Sequence, residues 1–146
     1  MIKKIFAPGN DSTLTSFALL ALRLWLGLAM FFIHGMDKLN NFGKYAAMFP
    51  DPIGIGVKPG LALVTFAETV GALLLALGLL TRFGALTLVI DLAVAFFMVH
   101  KMAVGMAPHS GELAFIYLAG FVVLLIAGPG KFSMDKALFG KGGSGK

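Results

Sequence analysis

The chain has 146 residues, 58% of them hydrophobic and 13% charged, with a formal net charge of +5 and no cysteine. A domain of this size has too little interior to bury so much apolar surface, and its mean hydropathy of +0.90 excludes an ordinary soluble enzyme, a disordered chain and a nucleic-acid-binding module. The missing cysteines exclude disulfides, thiolate metal sites, C-x-x-C redox chemistry and covalent c-type haem.

Four stretches approach the roughly 20 apolar residues that cross a bilayer: 14–34, 60–80, 83–100 and 112–128. None alternates with a period of two, which excludes a membrane β-barrel. The composition therefore predicts an all-α fold, an integral membrane four-helix bundle formed by residues 1–139, with 140–146 as a flexible tail. Ser12 and Thr13 are placed to cap the first span, whose basic approach (Lys3, Lys4) resembles a signal peptide. That span is too long and lacks a small-residue cleavage site, so it reads as retained. Pro50, Pro52 and Pro59 break the segment after it, and Thr81-Arg82 reads as a tight turn between the second and third spans. Pro108 and Gly111 separate the third span from the fourth, which Gly128-Pro129-Gly130 closes.

Lys3, Lys4, Arg82, Lys131, Lys136, Lys141 and Lys146 gather on one side, seven against the four of Lys38, Lys44, Lys58 and Lys101. The positive-inside rule then puts both termini in the cytoplasm. Repetition within the chain is faint. Phe31-Phe32-Ile33-His34 and Phe96-Phe97-Met98-Val99-His100 end the first and third spans alike, as two related hairpins or a shared interfacial chemistry would both produce.

Each of the first three spans carries one charge: Arg23, Glu68 and Asp91. An ionisable group at the bilayer centre costs at least ~2.5–3.5 kcal/mol, so such groups face the bundle interior and find partners. Counted from the outer ends at 1.5 Å per residue, they lie about 16, 12 and 14 Å down, close to one level. Eleven residues of ideal helix turn through about 20° net, which puts Arg23 and His34 on one face, with Lys38 following. Two readings compete: a salt bridge that fixes the bundle, or an outward-facing polar cavity. The cavity reading takes Arg23, His34, Lys38, Glu68 and Asp91 as ligand-binding, with Glu68 and Asp91 as proton relays. His34 titrates nearest neutral pH.

At the outer rim, His34, His100 and His109 fall on one side of the membrane, and Met98, Met102 and Met106 recur every four residues. Thioethers and imidazoles suit Cu(I), which makes His34, His100, His109 and Met102 the metal candidates. The same spacing also arises from plain interface packing. No nucleotide-binding or serine-hydrolase motif is present.

The pairing of Arg23 with Gly27, the string Phe32-Ile33-His34-Gly35-Met36-Asp37-Lys38, the run Glu68-Thr69-Val70-Gly71 leading to Gly78-Leu79-Leu80-Thr81-Arg82, and Gly128-Pro129-Gly130-Lys131-Phe132-Ser133-Met134-Asp135 together resemble the DoxX family. The likeness runs from Leu19 to Asp135. It implies a small four-helix membrane protein of bacteria or archaea with a redox association, since relatives include the small membrane subunit of an archaeal thiosulfate:quinone oxidoreductase. On that implication the leading expectation is a quinone-linked subunit, with quinone as a non-covalent cofactor and electrons supplied by another membrane or redox protein. The alternatives are a non-enzymatic accessory or assembly subunit of a larger complex, and copper handling at the rim.

Overall fold

The computed structural model describes residues 12–105 and 110–140, and these are helical with no strand among them. The long elements are α1 (Thr13–Asn40), α3 (Val57–Leu77), α4 (Thr81–Val99) and α5 (Glu112–Ala127). Short helices α2 (Phe42–Ala46) and α6 (Met134–Phe139) complete the set. The first three long helices are long and apolar enough to cross a membrane, and α5, with 16 residues, is a shorter apolar helix of about 24 Å. Lys3, Lys4, Met106, Pro108, His109 and residues 141–146 lie outside the described residues.

Helix ends follow local chemistry. The Ser12 hydroxyl accepts a hydrogen bond from the Thr15 amide at 3.1 Å and starts α1, as its position predicts. The helix then runs past His34, the expected end, to Asn40. Pro59 sits in the first turn of α3, where its missing N–H breaks no helical bond. Before it, the Asp51 carboxylate accepts the Ile55 and Gly56 amides at 3.1 and 3.0 Å and pins the connecting loop. The hairpin turn falls at residues 78–80, earlier than the expected Thr81-Arg82. Gly78 takes a left-handed φ of 71°, and the Leu79 amide bonds back to the Leu74 carbonyl at 3.0 Å, which stops α3.

The start of α4 has no cap of its own; Asp135 supplies one from 54 residues away. Its carboxylate accepts the Leu80 amide (2.7 Å), the Thr81 amide (2.9 Å) and the Thr81 hydroxyl (2.8 Å). The segment after α5 thus folds back across the end of the bundle where α1, α4 and α6 begin, here called the proximal end. The segment at 41–56, which includes α2, and residues 100–105 and 110–111 lie at the distal end.

The interior is built on small residues. A Cβ at Gly84 would lie 2.6 Å from the Gly71 carbonyl oxygen, and one at Gly27 would lie 3.0 Å from that of Ala72. These close approaches bring α1, α3 and α4 together in the way small residues do in membrane bundles. Ala72, Leu75, Ala85, Leu88, Phe121 and Leu124 fill the core, while Trp25, Phe32, Ile116 and Ile126 face outward. In lipid that outward apolar surface is satisfied, not exposed at a cost.

Three π-helical segments interrupt the long helices: Met30–Gly35 in α1, Ala67–Gly71 in α3 and Val94–Val99 in α4. Each π turn takes one more residue than an α turn, and such bulges gather at functional sites. Both Phe-Phe pairs lie in them, each with its rings edge to face at 5.0 and 5.1 Å. The shared ending seen in the sequence is therefore a shared local conformation.

A polar pocket between the helices

A cavity of about 640 Å³ lies between α1, α3, α4 and α5 in the distal half, roofed by the loop at 49–55. That volume is ample for a small-molecule ring, since ligand sites typically span ~300–1,000 Å³. Most of its wall is apolar, and the polar groups on it are few: His34, Lys38, Asp51, Glu68, Thr87, Asp91, His100, Ser110 and Tyr117.

The π segments set this arrangement. His34 lies in the first, Glu68 in the second, and the third follows Asp91 by three residues. Gly35 carries no side chain because one there would overlap the Glu68 backbone carbonyl. That contact brings α1 and α3 close enough for Lys38 Nζ to reach Glu68 Oε2 at 2.6 Å. The pair is sheltered, with side-chain exposures of 15% and 6%, so its Coulomb attraction is screened less than at a surface.

Asp91 stands apart. Its Oδ2 is fully buried and has no hydrogen-bond partner among the described residues. Glu68 and Lys38 are both within its electrostatic reach. Thr87, one turn away, does not meet the need, because its hydroxyl donates to the Gly84 carbonyl at 2.9 Å. Buried polar atoms are almost always partnered, and an exception calls for an explanation.

The other walls hold aromatic rings. His34 meets the edge of Tyr117 at 5.9 Å, and Tyr117 stacks on Phe121 at the same separation. Beyond Lys38, the Tyr45 ring lies 5.9 Å from its ammonium group, within cation–π range. The Tyr45 hydroxyl donates to Asp37 Oδ2, and Asn41 donates to Asp37 Oδ1 at 2.8 Å. The hydrogen bond to Asp37 raises the Tyr45 phenol above its ordinary range.

Four of the five ligand-binding candidates therefore meet: His34, Lys38, Glu68 and Asp91. Arg23 does not join them. It is fully buried, and Nη2 donates to the Phe132 carbonyl at 2.6 Å near the proximal end. The acid within its reach is Asp135, not Glu68 or Asp91. Two causes displace it. Gly35 is level with Glu68, which leaves Arg23 twelve residues, or about 18 Å, along α1. The π segment between Arg23 and His34 also slips the face by about one residue, roughly 100°. The expected pairing of Arg23 with the two intramembrane carboxylates is thus replaced by a clasp on the segment after α5.

The rim histidines fare differently. His34 and His100 both line the cavity, Met102 is exposed away from it, and His109 lies outside the described residues. Among the described residues, no three His, Cys, Asp or Glu side chains gather closely enough to hold a metal ion. Sequence reasoning missed Tyr117 and the loop at 49–55 as parts of the pocket. Tyr117 was the one signal available, being the polar-tipped residue in the fourth span after Glu112.

Apolar helices of spanning length around a polar pocket define an integral membrane helix bundle. The DoxX family model matches residues 18–101, and the chain belongs to that family. It is 32% identical over 116 residues to an uncharacterized protein of Haemophilus influenzae, covering 77% of this chain and 84% of that one. A second uncharacterized Haemophilus influenzae protein is 32% identical over 123 residues, covering 81% of each. An uncharacterized membrane protein of Mycobacterium tuberculosis is 31% identical over 142 residues, with 83% and 81% covered. No solved structure matches the chain.

Proposed function

We propose that this DoxX-family membrane protein is a quinone-linked subunit whose pocket receives the ring of a lipid-soluble quinone. The observation that carries the reading is the buried, unpartnered Asp91 Oδ2 in a largely apolar cavity. A carboxyl group donates to a carbonyl when protonated and accepts from a hydroxyl when ionised. Asp91 is therefore suited to both the oxidised and the reduced ring. A bound quinone supplies two-electron, two-proton redox chemistry; the side chains supply hydrogen bonds and protons. His34 offers a second donor or acceptor at the cavity wall, and Lys38, held by Glu68, keeps a fixed positive charge there. Electrons come from a partner membrane or redox protein. The Lys and Arg count along the sequence, seven against four, supports placement in the bacterial cytoplasmic membrane with the pocket's roof facing outward.

The test is direct. The chain is purified from native membranes into nanodiscs, and its extracted quinone is quantified against a membrane protein of similar size. Asp91→Asn is expected to lower bound quinone several-fold and to slow quinone-dependent respiration of the host strain. Equal quinone content in wild type, Asp91→Asn and the control protein overturns the proposal and leaves the accessory-subunit reading in its place.

A further inference from the structure

The apolar wall of the pocket reaches the lipid-facing outside of the bundle. The pocket's distal roof is the loop at 49–55, which turns Phe49, Ile53 and Ile55 onto the cavity. That roof is held down at both ends. The Phe49 amide bonds to the Tyr45 carbonyl at 2.8 Å, and the Asp51 carboxylate holds the Ile55 and Gly56 amides. The sides differ. Leu63 and Phe66 of α3 and Ile90 of α4 line the cavity, yet are 59%, 42% and 56% exposed on the outside of the bundle. Packing between α3 and α4 is carried by their proximal halves, through Gly71 and Gly84. Distal to that crossing, the gap between the two helices leads from the lipid-facing surface to Asp91, which adjoins Ile90 in the chain.

Charge narrows the occupant. Lys38 is the one Lys or Arg among the residues lining the cavity, and its ammonium is already matched by Glu68, while Asp91 Oδ2 has no hydrogen-bond partner among the described residues. A charged head would leave water for an apolar wall with no free counter-ion of its own, whereas a neutral ring with hydroxyl or carbonyl groups supplies the hydrogen bond that Asp91 Oδ2 lacks.

We infer that the ligand is a hydrocarbon-tailed molecule with an uncharged hydrogen-bonding head, and that it enters sideways from the bilayer through the gap between α3 and α4. The head reaches Asp91, and the tail stays in the gap against Leu63, Phe66 and Ile90. This rests on the pocket being a ligand site, and adds its entrance and the chemical class it admits. A tailed molecule that used the distal route would have to draw its tail out of lipid, which the apolar gap avoids.

The experiment uses the full chain in nanodiscs of zwitterionic lipid, with a decyl-tailed hydroquinone and the same ring without a tail as probes. The tailed probe is expected to bind more tightly by about tenfold or more. Ile90→Trp, which narrows the gap, should weaken the tailed probe by about tenfold and leave the tailless ring within about twofold. A second variant removes dependence on that bulky change. The chain has no cysteine, so Leu63→Cys gives a single reporter on an exposed position, and the tailed probe should protect it from a lipid-soluble maleimide while the tailless ring does not. Equal affinities of the two probes, or absence of protection at Leu63→Cys with the tailed probe bound, overturns lateral entry while the ligand site stands. Failure of both probes to bind overturns the site and the entrance together. Competition by added anionic phospholipid at about tenfold or more overturns the assignment of an uncharged head.

Discussion

Replacing Asp135 with alanine should unfold the proximal end of the bundle, because one carboxylate there serves three donors. It is fully buried and accepts the Leu80 and Thr81 amides and the Thr81 hydroxyl at 2.7–2.9 Å. Its own amide also donates to the Gly78 carbonyl at 2.8 Å, and that bond survives the substitution. Each buried donor left without an acceptor costs ~1–3 kcal/mol. The Thr81 hydroxyl can rotate toward another acceptor and Leu80 is part-exposed, which brings the sum to about 3–4 kcal/mol. Arg23 then loses the acid that offsets its buried charge, pushing the total toward about 5 kcal/mol. Asp135→Asn keeps one acceptor oxygen in place and should cost about 1–2 kcal/mol. The measurement is reversible unfolding in mixed micelles by far-ultraviolet circular dichroism, with amide hydrogen exchange as the local readout. Exchange should accelerate at Leu80 and Thr81 before the core of α5. A loss of under about 1 kcal/mol for Asp135→Ala, or unchanged exchange at Thr81, would refute the capping account.

Three further outcomes follow from the same geometry. Gly35→Ala places a methyl group on the Glu68 carbonyl and should cost ~1–3 kcal/mol by forcing α1 from α3, read from the same unfolding titration; a neutral result would mean the two helices are not held at that contact. Lys38→Met alone strands the sheltered Glu68 carboxylate and should cost about 3–5 kcal/mol, while Lys38→Met with Glu68→Leu should recover most of it; a double variant no more stable than the single one would remove the ion pair from the account. Tyr45 should ionise above its ordinary range, because ionisation loses the hydrogen bond to Asp37 and sets two negative charges together. That bond's contribution is present while the phenol is protonated and is lost as pH rises through the raised value. Ultraviolet titration should therefore show Asp37→Asn bringing Tyr45 back down, and no change would exclude the bond.

The membrane class was legible because it depends on composition and run length, which a chain carries without folding. So were three apolar helices of spanning length. His34, Lys38, Glu68 and Asp91 were legible as a group for a related reason: ionisable residues in apolar spans must face inward, and an inward face has few places to be. The Phe-Phe repeats were visible too, but their meaning was not, since a π turn is a hydrogen-bond shift that residue spacing alone does not reveal.

Arg23 marks where reading the chain alone stops. Its place in an apolar span required a buried partner, and the sequence by itself determined that much, along with the helical class and the membrane as solvent. Which partner it finds depends on the axial offset of α1 against α3, on the residue inserted by the π segment before His34, and on the return of the segment at 128–135. These are relations between parts of the chain distant in sequence. Only the tertiary structure decides them, because helical periodicity specifies a face within one helix and says nothing about the level at which two helices meet.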